Sequence, residues 1–174
     1  MNNIKLIALD IDGVLNSRNW AMSRKAKSQR FFDIDPKTID RVNRITRSTS
    51  EEDCPTKIVL SSTWRLDFPM GDGQTSMAIN MFFEAIGIEP VALGRTGYFQ
   101  VHRGREILIW IAQSQIIKDI KVKNLVILDD DGDMDPLKKY WVHCKNATGL
   151  TDVEVNLAIE MLNKPFKFNL RLGV

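Results

Sequence analysis

The sequence predicts one α/β domain, in which a parallel β-sheet is covered by helices on both faces. Short apolar segments typical of buried strands alternate with longer segments whose apolar residues recur at helical spacing, the pattern of repeated strand–helix–strand units. The length of 174 residues also suits one domain, because two domains of half this length would each have a thin core. We therefore expect a single domain over residues 1–174.

The first predicted elements are a strand and a helix. The apolar run at 4–9 is typical of a buried strand. Residues 36–47 carry apolar side chains at roughly helical spacing, with Asp35 suited to cap the helix and Pro36 suited to its first turn. The polar segment 49–55 is predicted to be a loop.

The middle of the chain repeats this order. Residues 57–60 form a second apolar run and predict a second buried strand. The Gly-Asp-Gly sequence at 71–73 predicts a break, after which apolar residues indicate a helix over 76–86. A short strand is predicted at 91–93.

The C-terminal part supplies two further helices and two further strands. Apolar residues along one side predict a helix over 104–117, and the run at 125–128 predicts a third buried strand. Residues 141–144 suggest a fourth. A closing helix is predicted over 151–162, since a threonine at its start is followed three residues later by a glutamate. Residues 163–174 form a tail.

Composition restricts the class of protein. Hydrophobic residues make up 44% of the chain and charged residues 26%, as in ordinary globular proteins, and the longest apolar runs are far too short to span a bilayer. Residues 1–10 resemble a buried strand rather than a signal peptide. Cys54 and Cys144 lack metal-site spacing, so we expect reduced thiols in a cytoplasmic protein with no membrane partner.

Three predicted strands end in short polar clusters. The clusters are Asp10 with Asp12, Ser61 with Ser62, and Asp129 with Asp130 and Asp131. The carboxyl ends of parallel strands meet at one edge of a sheet, so these side chains are expected to converge on one site. Gly13 would let the backbone turn tightly there and bring its amide near a ligand.

Several carboxylates in one crevice repel one another unless a cation lies among them. Oxygen ligands without histidine or cysteine favour Mg²⁺ with several bound waters. The alternative is that burial keeps one or more of the carboxylates protonated. A metal accounts for the whole set more simply.

Four segments carry a resemblance to a known family. They are LDIDGVLN at 9–16, VLSSTWR at 59–65, HRGREI at 102–107 and VILDDDGDM at 126–134. Together they resemble the haloacid dehalogenase-like (HAD) phosphatase superfamily. With the later GLT at 149–151, the pattern is similar to the capless HAD domains associated with RNA-repair proteins. The resemblance implies a three-layer, Rossmann-like (HAD-type) fold with little or no cap domain.

The resemblance also implies roles for matching residues in a phosphomonoester hydrolase. Asp10 would be the nucleophile and form an aspartyl-phosphate, and Asp12 would be the general acid and base. Mg²⁺ would be held by the Asp10 carboxylate, the Asp12 main-chain carbonyl and Asp130. Ser61 and Arg103 would bind the phosphoryl group, with arginine standing where the superfamily commonly has lysine.

Some of these assignments have an alternative nearby in the sequence. Ser62 could replace Ser61, Arg105 could replace Arg103, and Asp129 could share the metal. Trp64 and Trp110 are predicted to serve in packing. The spacing around Ser61 lacks the glycines of a hydrolase elbow, and the chain has no P-loop or dinucleotide fingerprint.

The predicted substrate rests on a basic insertion at 17–35. Arg18, Arg24, Lys25 and Lys27 belong to it, and they would attract a polyanion such as a nucleic-acid terminal phosphate. An equally weighted interpretation is a solvated loop. A largely open site also admits a phosphoprotein or a small phosphate ester, and a further alternative is a non-catalytic nucleic-acid-binding domain on a HAD scaffold.

Overall fold

The computed structural model describes residues 2–23, 34–68 and 72–167. Its centre is a five-stranded sheet with the strand order β3-β2-β1-β4-β5, and every neighbouring pair is parallel. The strands are β1 (Asn2–Leu9), β2 (Thr56–Leu60), β3 (Ala92–Arg95), β4 (Ile120–Asp129) and β5 (Trp141–His143). The predicted α/β class is confirmed.

Helices cover both faces of the sheet. They are α1 (Arg18–Ser23), α2 (Pro36–Thr49), α3 (Asp72–Ile86), α4 (Arg103–Ile117) and α5 (Asp152–Leu162). Buried side chains of α2, α3 and α5 pack in one core cluster on one face, whereas those of α4 pack in a second cluster on the other. This is the expected three-layer, Rossmann-like arrangement without a cap among the described residues.

Strand register brings the carboxyl ends of the inner strands level with one another. Leu9 of β1 pairs with Leu60 of β2 and with Leu128 of β4, and Leu60 pairs with Arg95 of β3. The residues that follow these positions therefore lie side by side along one edge of the sheet. The edge includes the point between β1 and β4 where the chain direction across the sheet reverses, the usual place for a ligand site in such folds.

Element boundaries differ from the prediction where local sequence is ambiguous. β4 begins at Ile120 rather than 125. The prediction missed the first half of this strand because polar and apolar residues alternate there and only Val122 in it is buried. α3 begins at Asp72, so the predicted glycine break at 71–73 ends within the helix. β3 covers Ala92–Arg95 rather than 91–93.

Within the described ranges, three short helical elements were not predicted. They are α1, a 3-10 helix at Thr63–Asp67 and a second at Lys138–Tyr140. Each has fewer than two turns, too short to show a helical period in the sequence. Thus the insertion predicted at 17–35 begins with a helix, and its residues 24–33 lie outside the described part of the chain.

The predicted helix caps are present. An oxygen of the Asp35 side chain accepts a hydrogen bond from Lys37 N at 2.9 Å, at the start of α2. Thr151 and Glu154 form a capping box at the start of α5. The tail predicted at 163–174 packs through Phe166 on Tyr140, with ring centroids 4.9 Å apart, and residues 168–174 lie outside the described part.

None of the helices in the described ranges is long and apolar enough to cross a membrane.

Candidate functional site

Four adjacent strands each bring a buried polar side chain to the same edge of the sheet. In sheet order they are Thr96, Ser61, Asp10 and Asp129, and none is more than 4% exposed. The hydrogen-bond ladder continues through them: Thr96 N donates to Leu60 O at 3.0 Å and Ser61 N donates to Leu9 O at 2.8 Å. The parallel register therefore lines these polar groups up in one row.

The row points toward α4. Ala8, Val59 and Ile127 lie two residues before members of the row, and all three pack in the core cluster on the α4 face. Side chains two apart on a strand share a face, so the row continues that face at its carboxyl edge. The polar groups consequently meet the first residues of α4.

Arg103, the first residue of α4, binds the row. Its Nη1 lies 3.2 Å from Asp10 Oδ1 and 3.2 Å from Asp129 Oδ2, and it donates a hydrogen bond to the Ser61 carbonyl. Burial works to lower the pKa of Arg103, but the charges of Asp129 and Asp10 outweigh it and the pKa is raised. Arg105 is exposed, so the structure places Arg103 and not Arg105 at the row.

The start of α4 is held by the loop that follows β4. Asp133 Oδ2 accepts a hydrogen bond from Arg103 N at 3.1 Å, and Asp133 O accepts one from Gly104 N at 3.2 Å. A Cβ atom on Gly104 would lie 2.1 Å from the Met134 carbonyl oxygen. Only glycine allows this approach, which positions Arg103.

Three carboxylates form an acidic cluster at the row. Oxygen atoms of Asp10, Asp129 and Asp130 lie within 4.8 Å of one another. Burial, opposed by the Arg103 charge, raises the pKa of Asp10 to about 6. Burial and the charge of Asp10 raise the pKa of Asp129 to about 8.

The cluster fits a hard divalent cation. It offers only oxygen donors, and the buried Asp129 Oδ2 has no hydrogen bond among the described residues besides its ion pair with Arg103. A cation would offset the burial and repulsion that raise both pKa values. The acidic cluster therefore has the donor chemistry for Mg²⁺.

Gly13 and Asp130 are packed against each other. Gly13 has φ +73°, and a Cβ atom on it would lie 2.2 Å from Asp130 Oδ2. Asn146 Nδ2 donates to the same oxygen at 2.8 Å. The Gly13 amide donates to Asn16 O and Oδ1, so the predicted contact of this amide with a ligand would require it to change partner.

Asp12 lies apart from the acidic cluster. Its side chain is exposed, and both of its oxygens accept hydrogen bonds: Oδ1 from Asn16 Nδ2 at 2.8 Å and Oδ2 from Trp64 Nε1 at 2.9 Å. Trp64 was predicted to serve in packing, in the core or at its edge. Its ring does so, against Phe82 at a centroid distance of 6.1 Å, and its N–H also binds this carboxylate.

The two serines after β2 have different surroundings. Ser61 Oγ is buried and has no hydrogen-bond partner within the described ranges. Ser62 Oγ accepts a hydrogen bond from Trp64 N at 3.3 Å, and the Ser62 side chain also hydrogen-bonds Asp10. Ser61 therefore keeps a hydroxyl available for a ligand.

A buried ion pair beneath the site was not predicted. Arg65 Nη2 lies 2.6 Å from Glu106 Oε2, and both side chains are almost fully buried. Arg65 Nη1 donates to Ser62 O at 3.2 Å, and Glu106 Oε1 accepts from Phe99 N at 2.9 Å. The pair joins the loop after β2 to α4. Its two members lie in the segments VLSSTWR and HRGREI, and the charged residues in these segments are the sequence feature that could have indicated the ion pair.

The residues predicted to contact a polyanion are described only in part. Arg18 is exposed at the start of α1, and its N–H donates to Asn146 O at 2.9 Å. This places it beside the residue that binds Asp130. Arg24, Lys25 and Lys27 lie outside the described residues.

A comparison with protein-family models identifies one match. Residues 6–155 match the model described as the HAD domain in Swiss Army Knife RNA repair proteins. No curated protein and no solved structure matches the chain significantly. The matched region reaches into all five strands and contains the acidic cluster, Ser61 and Arg103. The chain therefore belongs to the HAD family and has the scaffold of a HAD-type phosphatase.

Proposed function

We propose that this protein is a Mg²⁺-dependent phosphomonoester hydrolase that works through an aspartyl-phosphate on Asp10. The observation that carries the proposal is the arrangement along the sheet edge. A buried carboxylate, Asp10, lies beside the Arg103 guanidinium. The Ser61 hydroxyl, which has no hydrogen-bond partner in the described part of the chain, follows the neighbouring strand in register. An acid, Asp12, is held two residues away on the exposed side.

The chemistry of the first step follows from these positions. An oxygen of Asp10 attacks phosphorus, the phosphorus–oxygen bond to the leaving group breaks, and the leaving oxygen takes a proton from the Asp12 carboxyl. Ser61 and Arg103 donate hydrogen bonds to the other phosphoryl oxygens and hold the group in line.

The second step regenerates the carboxylate. Asp12, now ionised, takes a proton from water, and the water oxygen attacks phosphorus of the aspartyl-phosphate. The bond from phosphorus to Asp10 breaks, which releases inorganic phosphate and restores Asp12 as an acid. When bound by Asp10, Asp129, Asp130 and the Asp12 main-chain carbonyl, Mg²⁺ supplies the positive charge that lets carboxylate and phosphate approach.

The substrate we propose is a terminal phosphate of a nucleic acid. The family is described from RNA repair proteins. The described helices α2 and α3 pack on one face of the sheet, and the described residues form no separate cap domain. The backbone N–H of exposed Arg18 donates to Asn146, the residue that binds Asp130, and the Arg18 charge would attract a phosphodiester backbone.

The test is phosphate release in the presence of Mg²⁺. The substrates are oligonucleotides with 5′- or 3′-terminal phosphates and generic phosphate esters. We expect turnover that Asp10→Asn abolishes and that the exposed control Asp40→Asn, on α2, leaves unchanged. Absence of turnover by the unaltered protein, or equal turnover by Asp10→Asn, would contradict the proposal.

The same experiment distinguishes the alternatives. A small-molecule phosphatase would hydrolyse the generic esters and leave the oligonucleotides intact. A non-catalytic binding domain would show salt-sensitive oligonucleotide binding without turnover, and this binding would survive Asp10→Asn but not neutralisation of Arg24, Lys25 and Lys27.

A further inference from the structure

We propose that Trp64 is a positioning residue for the acid–base chemistry of Asp12, an inference that rests on the proposed hydrolase function. The indole Nε1 donates to Asp12 Oδ2 at 2.9 Å across 52 residues of sequence. Asn16 Nδ2 donates to Asp12 Oδ1 at 2.8 Å from within the same loop. Trp64 and Asn16 thus each donate a hydrogen bond to a different oxygen of the Asp12 carboxylate. We call these two residues the Asp12 clamp.

The local structure explains why the indole is a firm support. Trp64 lies in the 3-10 helix that follows β2, whose first turn is capped by the Ser62 side chain. Its ring is only 7% exposed and packs against Phe82, which in turn packs against Phe68 at a centroid distance of 5.8 Å. The apolar part of the indole thus packs in the core, and its N–H donates to the Asp12 carboxylate.

Asp12 needs such a support because it is an exposed side chain in a loop. A free aspartate rotates about two bonds, and a general acid must keep its carboxyl oxygen within about 2.6–3.2 Å of the leaving oxygen. Two hydrogen bonds to different oxygens fix both rotations. These two contacts restrict the Asp12 carboxylate to one orientation.

The chemistry of the two donors also directs the proton. An indole N–H and an amide NH₂ group donate hydrogen bonds and cannot accept them. When Asp12 is protonated, its proton cannot occupy the lone pair that faces Trp64 or the one that faces Asn16. It must therefore lie on a lone pair that faces away from the Asp12 clamp, where a leaving group can receive it.

The test separates positioning from structural support by the leaving group of the substrate. p-Nitrophenyl phosphate releases a stable phenolate that needs no proton, whereas an alkyl phosphate releases an alkoxide that does. Trp64→Phe keeps a ring in the core and removes the N–H. We expect kcat/KM, which reports the steps up to formation of the aspartyl-phosphate, to fall about 10- to 100-fold on the alkyl ester and less than about 3-fold on p-nitrophenyl phosphate.

Three further variants complete the experiment. Asp12→Asn should show the same dependence on the leaving group with a larger loss, and adding Trp64→Phe to it should lower activity no further. Phe82→Leu is the matched control, because it loosens the packing around Trp64 but keeps the N–H. It should lower the thermal midpoint and, because the N–H is retained, reduce kcat/KM on the alkyl ester less than Trp64→Phe does.

Asn16→Ala tests the other residue of the Asp12 clamp. Asn16 is only half-buried, so this substitution is tolerated more easily than one in the core, and the inference stays testable if Trp64→Phe does not fold. It should also reduce turnover of the alkyl ester selectively. Equal losses on both esters, or no loss, in Trp64→Phe and Asn16→Ala would overturn the role of Trp64 while the hydrolase function stands. Absence of any turnover by the unaltered protein would overturn the hydrolase proposal, and this inference with it.

Discussion

At the residue scale, the Ser61 hydroxyl is suited to bind a ligand but lowers the stability of the folded protein. Its hydroxyl oxygen is fully buried at the end of β2 and has no hydrogen-bond partner among the described residues. Burial of such a group costs about 1–3 kcal/mol. A phosphoryl oxygen placed beside Arg103 and Asp10 would supply the missing partner.

Ser61→Ala should therefore stabilise the protein and impair the reaction. We expect the free energy of unfolding to rise by about 1 kcal/mol, because the unpartnered hydroxyl is removed without a large cavity. Turnover should fall about 10- to 100-fold, since a hydrogen bond to the phosphoryl group is lost. Denaturant unfolding and phosphate release measure the two effects. A less stable variant with full activity would show that Ser61 is only structural.

At the scale of secondary-structure elements, a glycine at a close backbone contact determines where α4 begins relative to the site. α4 begins where the loop after β4 passes over it, and Gly104 is the point of contact with Met134 O. The same helix start carries Arg103 into the row of polar side chains. The position of the guanidinium therefore depends on a contact between two backbones.

Gly104→Ala should shift the start of α4. Its Cβ atom would overlap the Met134 carbonyl, at a cost of about 1–3 kcal/mol of stability. A displacement of Arg103 by about 1 Å would reduce turnover about 100-fold. Gly73→Ala is the matched control in α3, where a Cβ meets no atom within 4 Å. It should keep full activity and stabilise the helix by about 0.5–1 kcal/mol. Equal behaviour of the two variants would contradict the role of this contact.

The acidic cluster couples the stability of the whole molecule to pH and to a cation. The pKa values of Asp10 and Asp129 in the folded protein, about 6 and about 8, both lie above the ordinary aspartate value of 3.8. Raised folded-state values contribute stability that is present below the unfolded pKa and is lost as pH rises through the folded pKa. Both groups therefore destabilise the metal-free protein progressively from about pH 4 to about pH 8.

Mg²⁺ should reverse this loss. The shift of Asp10 alone corresponds to roughly 3 kcal/mol. We expect thermal midpoints with Mg²⁺ and with a chelator to differ by about 5–10 °C at pH 8 and to converge near pH 4, where Asp10 and Asp129 are protonated. Thermal unfolding across this range measures the difference.

Asp129→Asn provides the variant for the same measurement. It removes a buried charge, so it should raise the midpoint in chelator at pH 8 and diminish the response to Mg²⁺. The exposed neighbour Asp131→Asn is the control and should retain the response. A midpoint that is independent of Mg²⁺ at every pH would refute a cation site at the acidic cluster.

Much of the fold was predictable from the sequence. The strands and helices depend on local hydrophobic patterns, and the place of the site follows from the rule that parallel strands end at one edge of a sheet. Apolar runs identify β1 and β2, and helical spacing identifies α2 and α4. The weaker signals are those where burial is partial, so β4 and α3 extend beyond their predicted starts. The short α1 carries too few residues for a period to appear.

The sequence by itself determined the α/β class and the meeting of Asp10, Ser61 and Asp129 at one edge, because parallel strands must end on the same side of a sheet. Only the tertiary structure decided which neighbours those groups have. It placed Arg103 rather than Arg105 at the row, and it left the Ser61 hydroxyl without a hydrogen-bond partner among the described residues. It also brought Trp64 to Asp12. Such choices depend on register and on packing between elements far apart in the chain, and local sequence patterns carry no information about either.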